Sequence, residues 1–150
     1  MAPLLTDAGG RVMSVMSAVS RVEAAARRMA AGSTLSDGEL AAHGGVLTDV
    51  RVRDVLLGLM AGPDAAAAEA LWTLLARVLP EPYRVEALVL LAASAYVRGD
   101  GPLAGVALQA ALAADRGHRL AGLLDVALQG GVRPEAVRAV ITKAAAATAV

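Results

Sequence analysis

The stretch from Tyr83 to Pro102, YRVEALVLLAASAYVRGDGP, decides how the rest of the chain is read. Between Glu86 and Arg98 lie eleven residues, Ala87 to Val97, without a single charge. Alanine and leucine dominate them, and both are strong helix formers. A helix that is apolar on every face has to be enclosed by other elements, so this segment predicts a central helix over about 83–98. It is not a membrane span: at ~1.5 Å per residue it covers about half of a hydrocarbon core that takes ~20 residues to cross. Gly99-Asp100-Gly101-Pro102 then reverses the chain, with Asp100 placed to cap a following helix over about 102–114.

Outward toward the N-terminus the pattern stays helical. Pro80-Glu81-Pro82 ends a helix over about 64–79, because proline has no amide hydrogen and disfavours helical geometry in the residue before it. That helix directs Leu71, Leu74, Leu75 and Val78 inward, with Trp72 alongside. Gly62-Pro63 closes an earlier helix, capped by Thr48 or Asp49, whose Val52, Val55, Leu56, Leu59 and Met60 recur at i, i+3, i+4, i+7 and i+8. Ser36-Asp37-Gly38-Glu39 has the spacing of a capping box and opens a helix that Gly44-Gly45 weakens in its middle. The first helix is expected over about 11–31. Its Val12, Val15, Val19, Val22, Ala26 and Met29 form a seam for a partner helix, either in this chain or in a second copy as a homodimer. Toward the C-terminus, Asp115-Arg116-Gly117 is a turn, a helix follows over about 118–129, and Pro134-Glu135 opens a last one reaching about residue 147. The expected fold is all-α, an antiparallel bundle of about seven to eight helices in a single domain over residues 1–150, with 1–9 and 147–150 frayed.

Composition narrows the function. The chain has 150 residues, no cysteine, and fourteen basic against fourteen acidic side chains. Without cysteine there is no disulfide framework and no thiolate nucleophile, and without a basic leader before an apolar run there is no secretory pattern, so the expected compartment is the cytoplasm. Zero net charge supplies no general attraction to nucleic acid or to an anionic membrane. Trp72, Tyr83 and Tyr96 are the only aromatic residues, too few for a base-stacking platform. No phosphate-binding glycine loop or nucleophile elbow occurs, and His43 and His118 stand apart from any ligand spacing and suit surface or turn roles. The sequence therefore assigns no catalytic residue, cofactor or metal site.

Two resemblances follow from these residues. Leu88, Leu91, Ala92, Tyr96, Gly99-Asp100, Ala104, Leu108, Ala111 and Leu112 make the helix pair over 83–114 resemble one tetratricopeptide unit, a hairpin whose small residues let two helices approach closely. A longer match, from Leu35 to Arg138, resembles the C-terminal helical half of the actinobacterial family known as domain of unknown function 4192. It is carried by Leu35-Ser36-Asp37, Val50-Arg51-Val52-Arg53-Asp54, Leu71-Trp72, Leu79-Pro80-Glu81-Pro82-Tyr83, Gly99-Asp100-Gly101, Arg119-Leu120-Ala121, Leu123-Leu124-Asp125 and Pro134-Glu135. The resemblance implies a helical fold and brings no reaction with it. His118 and Val137 depart from the tyrosine and tryptophan that the family pattern leads one to expect.

Five residues are the candidates for binding a partner. Arg51, Arg53 and Asp54 form the most charged spot on an otherwise apolar helix, where a guanidinium fork would meet an acidic group or would simply hold a neighbouring carboxylate. Trp72 and Tyr83 flank the proline corner and would line an aromatic groove, unless Trp72 is a core residue. The reading that results is a noncatalytic module for a protein or peptide partner. The alternative is a helix-turn-helix over 35–59 that would present Arg51 and Arg53 to duplex DNA, against which the neutral charge weighs.

Overall fold

A computed structural model describes residues 4–7 and 9–149 of the chain, and these form eight α-helices with no strand. In chain order they are α1 (Val15–Ala30), α2 (Asp37–Leu47), α3 (Val50–Leu57), α4 (Ala65–Val78), α5 (Tyr83–Val97), α6 (Gly101–Ala114), α7 (Arg119–Gln129) and α8 (Pro134–Ala149). A 3-10 turn, Gly58–Ala61, follows α3. Among the described residues no helix is long and apolar enough to cross a membrane.

The bundle is built around α5, as its uncharged run requires. Every residue from Ala87 to Tyr96 is buried. α4 and α6 flank α5 most closely, and α2, α3, α7 and α8 also touch it. Ala87, Ala92, Ala93 and Ala95 have no exposed surface, and their small side chains let the flanking helices come close. Trp72 of α4 is the largest fully buried side chain. Asp100 caps α6 by accepting a hydrogen bond from the Leu103 amide at 3.0 Å.

α1 begins four residues later than its periodicity suggests. Ser14 is the cap, its hydroxyl accepting from the Ser17 amide at 3.0 Å. The preceding residues turn back on themselves instead: Thr6 bridges Val12, and the Asp7 carboxylate accepts from the amides of Gly9 and Arg11. Val12 therefore lies outside the helix, 66% exposed, while Val19, Val22 and Ala26 are buried and α1 packs on α4 and α3. Most of the expected seam is thus covered within the chain itself.

The capping box of α2 forms as expected, with Glu39 accepting from the Ser36 amide at 2.9 Å and Ser36 accepting from the Glu39 amide at 3.1 Å. Gly44 does not interrupt this helix. A Cβ at that position would stand 2.7 Å from Leu79 Cδ1, so the glycine is where α2 and the end of α4 meet. Asp49, rather than Thr48, caps α3. α3 tightens into the 3-10 turn after Leu57, which leaves Leu59 and Met60 only partly buried. Gly58 there allows the approach of Ala145 in α8. α8 stays helical through Ala149, beyond the expected end; the fraying expected at residues 1–3 and 150 falls outside the described residues.

Candidate functional site

The charged spot on α3 is occupied from within. Arg51 donates to Asp49 through Nε at 3.0 Å and Nη2 at 2.6 Å, and these bonds first of all hold the Asp49 carboxyl below its usual range. Arg53 has a side chain only 12% exposed. Its Nε and Nη2 donate to Asp54 Oδ1 at 3.2 and 2.9 Å, and its Nη1 lies 3.6 Å from Glu86 Oε2. That last separation is electrostatic contact beyond hydrogen-bond reach, and Glu86 Oε2 has no hydrogen-bond partner. The other Glu86 oxygen meets His118 Nε2 at 2.9 Å. Because His118 Nδ1 accepts from the Ala121 amide at 3.1 Å, Nε2 is the nitrogen that carries the hydrogen and donates it to Glu86. His118 does occupy a turn, as expected, but as the buried cap of α7 rather than at the surface.

The two aromatic candidates are not brought together on a surface. Trp72 is 1% exposed and belongs to the core, so the groove expected between it and Tyr83 lacks one wall. Tyr83 starts α5 beside the proline corner and is 38% exposed.

A cavity of about 400 Å³ lies between the N-terminal turn, α1 and α2, lined in part by Met13, Arg21, Arg28, Glu39 and His43. Its charges pair with one another: Arg28 lies 3.1 Å from Glu39, and Arg21 lies 3.9 Å from Asp7. His43 is buried with no hydrogen-bond partner at Nε2, and its burial pushes the imidazole pKa below the ordinary value. Among the described residues no group of three or more His, Asp or Glu gathers to hold a metal ion.

An apolar groove lies elsewhere, between α7 and α8. These consecutive helices share α5 but otherwise rest on different supports: α7 packs on α6, and α8 packs on α3 and the 3-10 turn. The wedge between them is a groove of about 280 Å³ lined by Leu120, Leu123, Leu124, Ala127, Val132, Ala136, Val137, Val140 and Ile141. Leu124, Val137 and Ile141 are buried at its floor, whereas Leu123 and Val140 stand 60% and 70% exposed. One hydrogen bond ties the closed end of the groove to the central helix. The Tyr96 hydroxyl donates to the Val132 carbonyl at 2.7 Å, and burial raises the tyrosine pKa above its usual value.

A family model described as Domain of unknown function (DUF4192) matches residues 5–135. The chain belongs to that family. No curated protein and no solved structure matches it. The DUF4192 match takes in α1 to α7 and the first two residues of α8, so one wall of the groove and its closed end lie inside the family's span. Sequence reasoning passed over this groove, although its signal was present. Leu120, Leu123, Leu124 and Ala127 on one helix, and Val137, Val140 and Ile141 on the next, have the spacing of ordinary core stripes, and only their placement shows that they fail to close on each other.

Proposed function

We propose that this DUF4192 chain is a noncatalytic interaction module that holds an amphipathic helix of a partner protein in the groove between α7 and α8. The observation that carries the reading is the apolar lining itself, with Leu123 and Val140 left exposed at its mouth. A helix fits such a cleft because it brings its backbone hydrogen bonds already satisfied and needs only apolar contact from its host. Leu120 to Ala127 spans two turns, about 10 Å at ~1.5 Å per residue, which matches anchors at i, i+3 or i+4, and i+7 on an incoming helix. The tetratricopeptide-like pairing of α5 with α6 supplies the support for α7. The absence of cysteine suits a reducing compartment such as the cytoplasm.

The test is fluorescence anisotropy with a labelled amphipathic helical peptide of about three turns. Saturable binding that Leu123→Asp or Val140→Asp abolishes, with the circular dichroism spectrum unchanged, supports the reading. Binding that neither substitution weakens places the partner elsewhere. Duplex DNA is the competing occupant, and it is weakened by the carboxylates that already face Arg51 and Arg53. Salt-dependent DNA retention lost in the Arg51→Ala, Arg53→Ala double variant would favour it instead.

A further inference from the structure

We infer that the helix taken up by this groove is acidic, an inference that rests on the groove being the docking surface. Residues 116–149 carry Arg116, Arg119, Arg133, Arg138 and Lys143 against only Asp125 and Glu135. The chain as a whole is neutral, so this end is positive while the remainder is negative. Ion pairing is divided in the same way. Among the described residues every arginine up to Arg98 except Arg77 lies within 4.0 Å of a carboxylate, and none of the five later cations does. Arg138 instead donates to the Ala61 carbonyl at 3.1 Å, across the contact of α8 with the 3-10 turn.

Helical geometry places the free charges relative to the groove. At about 100° per residue, Asp125 on α7 and Glu135 on α8 fall on the faces turned away from the apolar stripes, whereas Arg119 and Lys143 fall about a quarter-turn to the side of them. Arg133 follows Val132 at the closed end. Each flank and the closed end thus carry a cation without a carboxylate partner among the described residues, around a lining that is itself apolar. A helix with leucines on one face and glutamates beside them complements both parts of this surface, while a basic helix would meet like charge along its edges.

The experiment uses the whole chain and three labelled peptides that share one leucine face and carry glutamate, glutamine or lysine at the flanking positions. The inference expects the glutamate peptide to bind roughly tenfold more tightly than the glutamine peptide at low salt, the gap closing as salt rises. The triple variant Arg119→Gln, Arg133→Gln, Lys143→Gln should erase that preference. Equal affinity for the glutamate and glutamine peptides, or a preference for lysine, with binding still lost in Leu123→Asp, overturns the acidic assignment and leaves the groove reading standing. Failure of all three peptides to bind overturns both. Light scattering that shows a dimer, made monomeric by Leu123→Asp, makes a second copy the occupant and also overturns the acidic partner.

Discussion

Truncating Leu123 to alanine separates the contribution of α7 to folding from its contribution to binding. Full burial of a leucine side chain contributes about 1.5–3 kcal/mol. Leu123 is 60% exposed, so the fold already realises about two-fifths of that, roughly 0.6–1.2 kcal/mol. The remaining ~0.9–1.8 kcal/mol is available to a partner, which corresponds to a rise in Kd of about 5- to 20-fold on truncation. Leu90 in α5 is the reference, because it has no exposed surface and its truncation leaves a cavity. Leu90→Ala should cost about 2–5 kcal/mol and lower Tm by roughly 4–20 °C. Thermal denaturation followed by circular dichroism, together with titration of the glutamate peptide, reads both quantities for both variants. A small Tm change with a large loss of affinity is expected for Leu123→Ala. If Leu123→Ala costs as much stability as Leu90→Ala, or leaves affinity unchanged, the division between covered core and open groove is wrong.

Three further perturbations test particular contacts. Tyr96→Phe removes the hydroxyl that holds the Val132 carbonyl, and should cost about 1 kcal/mol, seen as a fall in Tm of roughly 2–4 °C. His43 has a folded pKa depressed by burial below 6.5, so the unfolded chain takes up a proton near pH 6.5 that the folded chain refuses. Its contribution is fully present above about pH 6.5 and is lost as pH falls through the depressed folded value; urea titrations should show this acid slope, and His43→Leu should flatten it. On α2, Gly45→Ala meets no neighbouring atom within 4 Å and should stabilise by about 0.5–1 kcal/mol, whereas Gly44→Val drives atoms into Leu79 and should destabilise by about 1–3 kcal/mol. Equilibrium unfolding distinguishes the two signs.

The helices were legible because each level of the sequence points the same way. The uncharged run in α5, the capping box at Ser36 and the proline corner at residues 80–82 are local signals, and each acts locally in the structure. The start of α1 was misread because the seam periodicity continues through Val12, while the hydroxyl of Ser14 and the carboxylate of Asp7, both better partners for free amides, set the boundary. Trp72 shows the limit of reading a site from residue type: the same aromatic serves a groove or a core, and burial decides. The α7–α8 groove was hidden for a related reason. Periodicity says that a helix has an apolar face, but not whether the neighbouring helix covers it, and that depends on α8 packing against α3 and the 3-10 turn, far away in sequence.

The central claim is that α7 and α8 present the binding surface, and methyl NMR of the leucine, valine, isoleucine and methionine side chains during titration with the glutamate peptide tests it most directly. The account predicts progressive shifts at Leu120, Leu123, Leu124, Val137, Val140 and Ile141, with Leu90 and Val89 of the central helix undisturbed. Shifts confined to Val50, Val52 and Val55 around the charged turn of α3, or to Met13, Val46 and their neighbours beside the His43 cavity, with α7 and α8 silent, would contradict it.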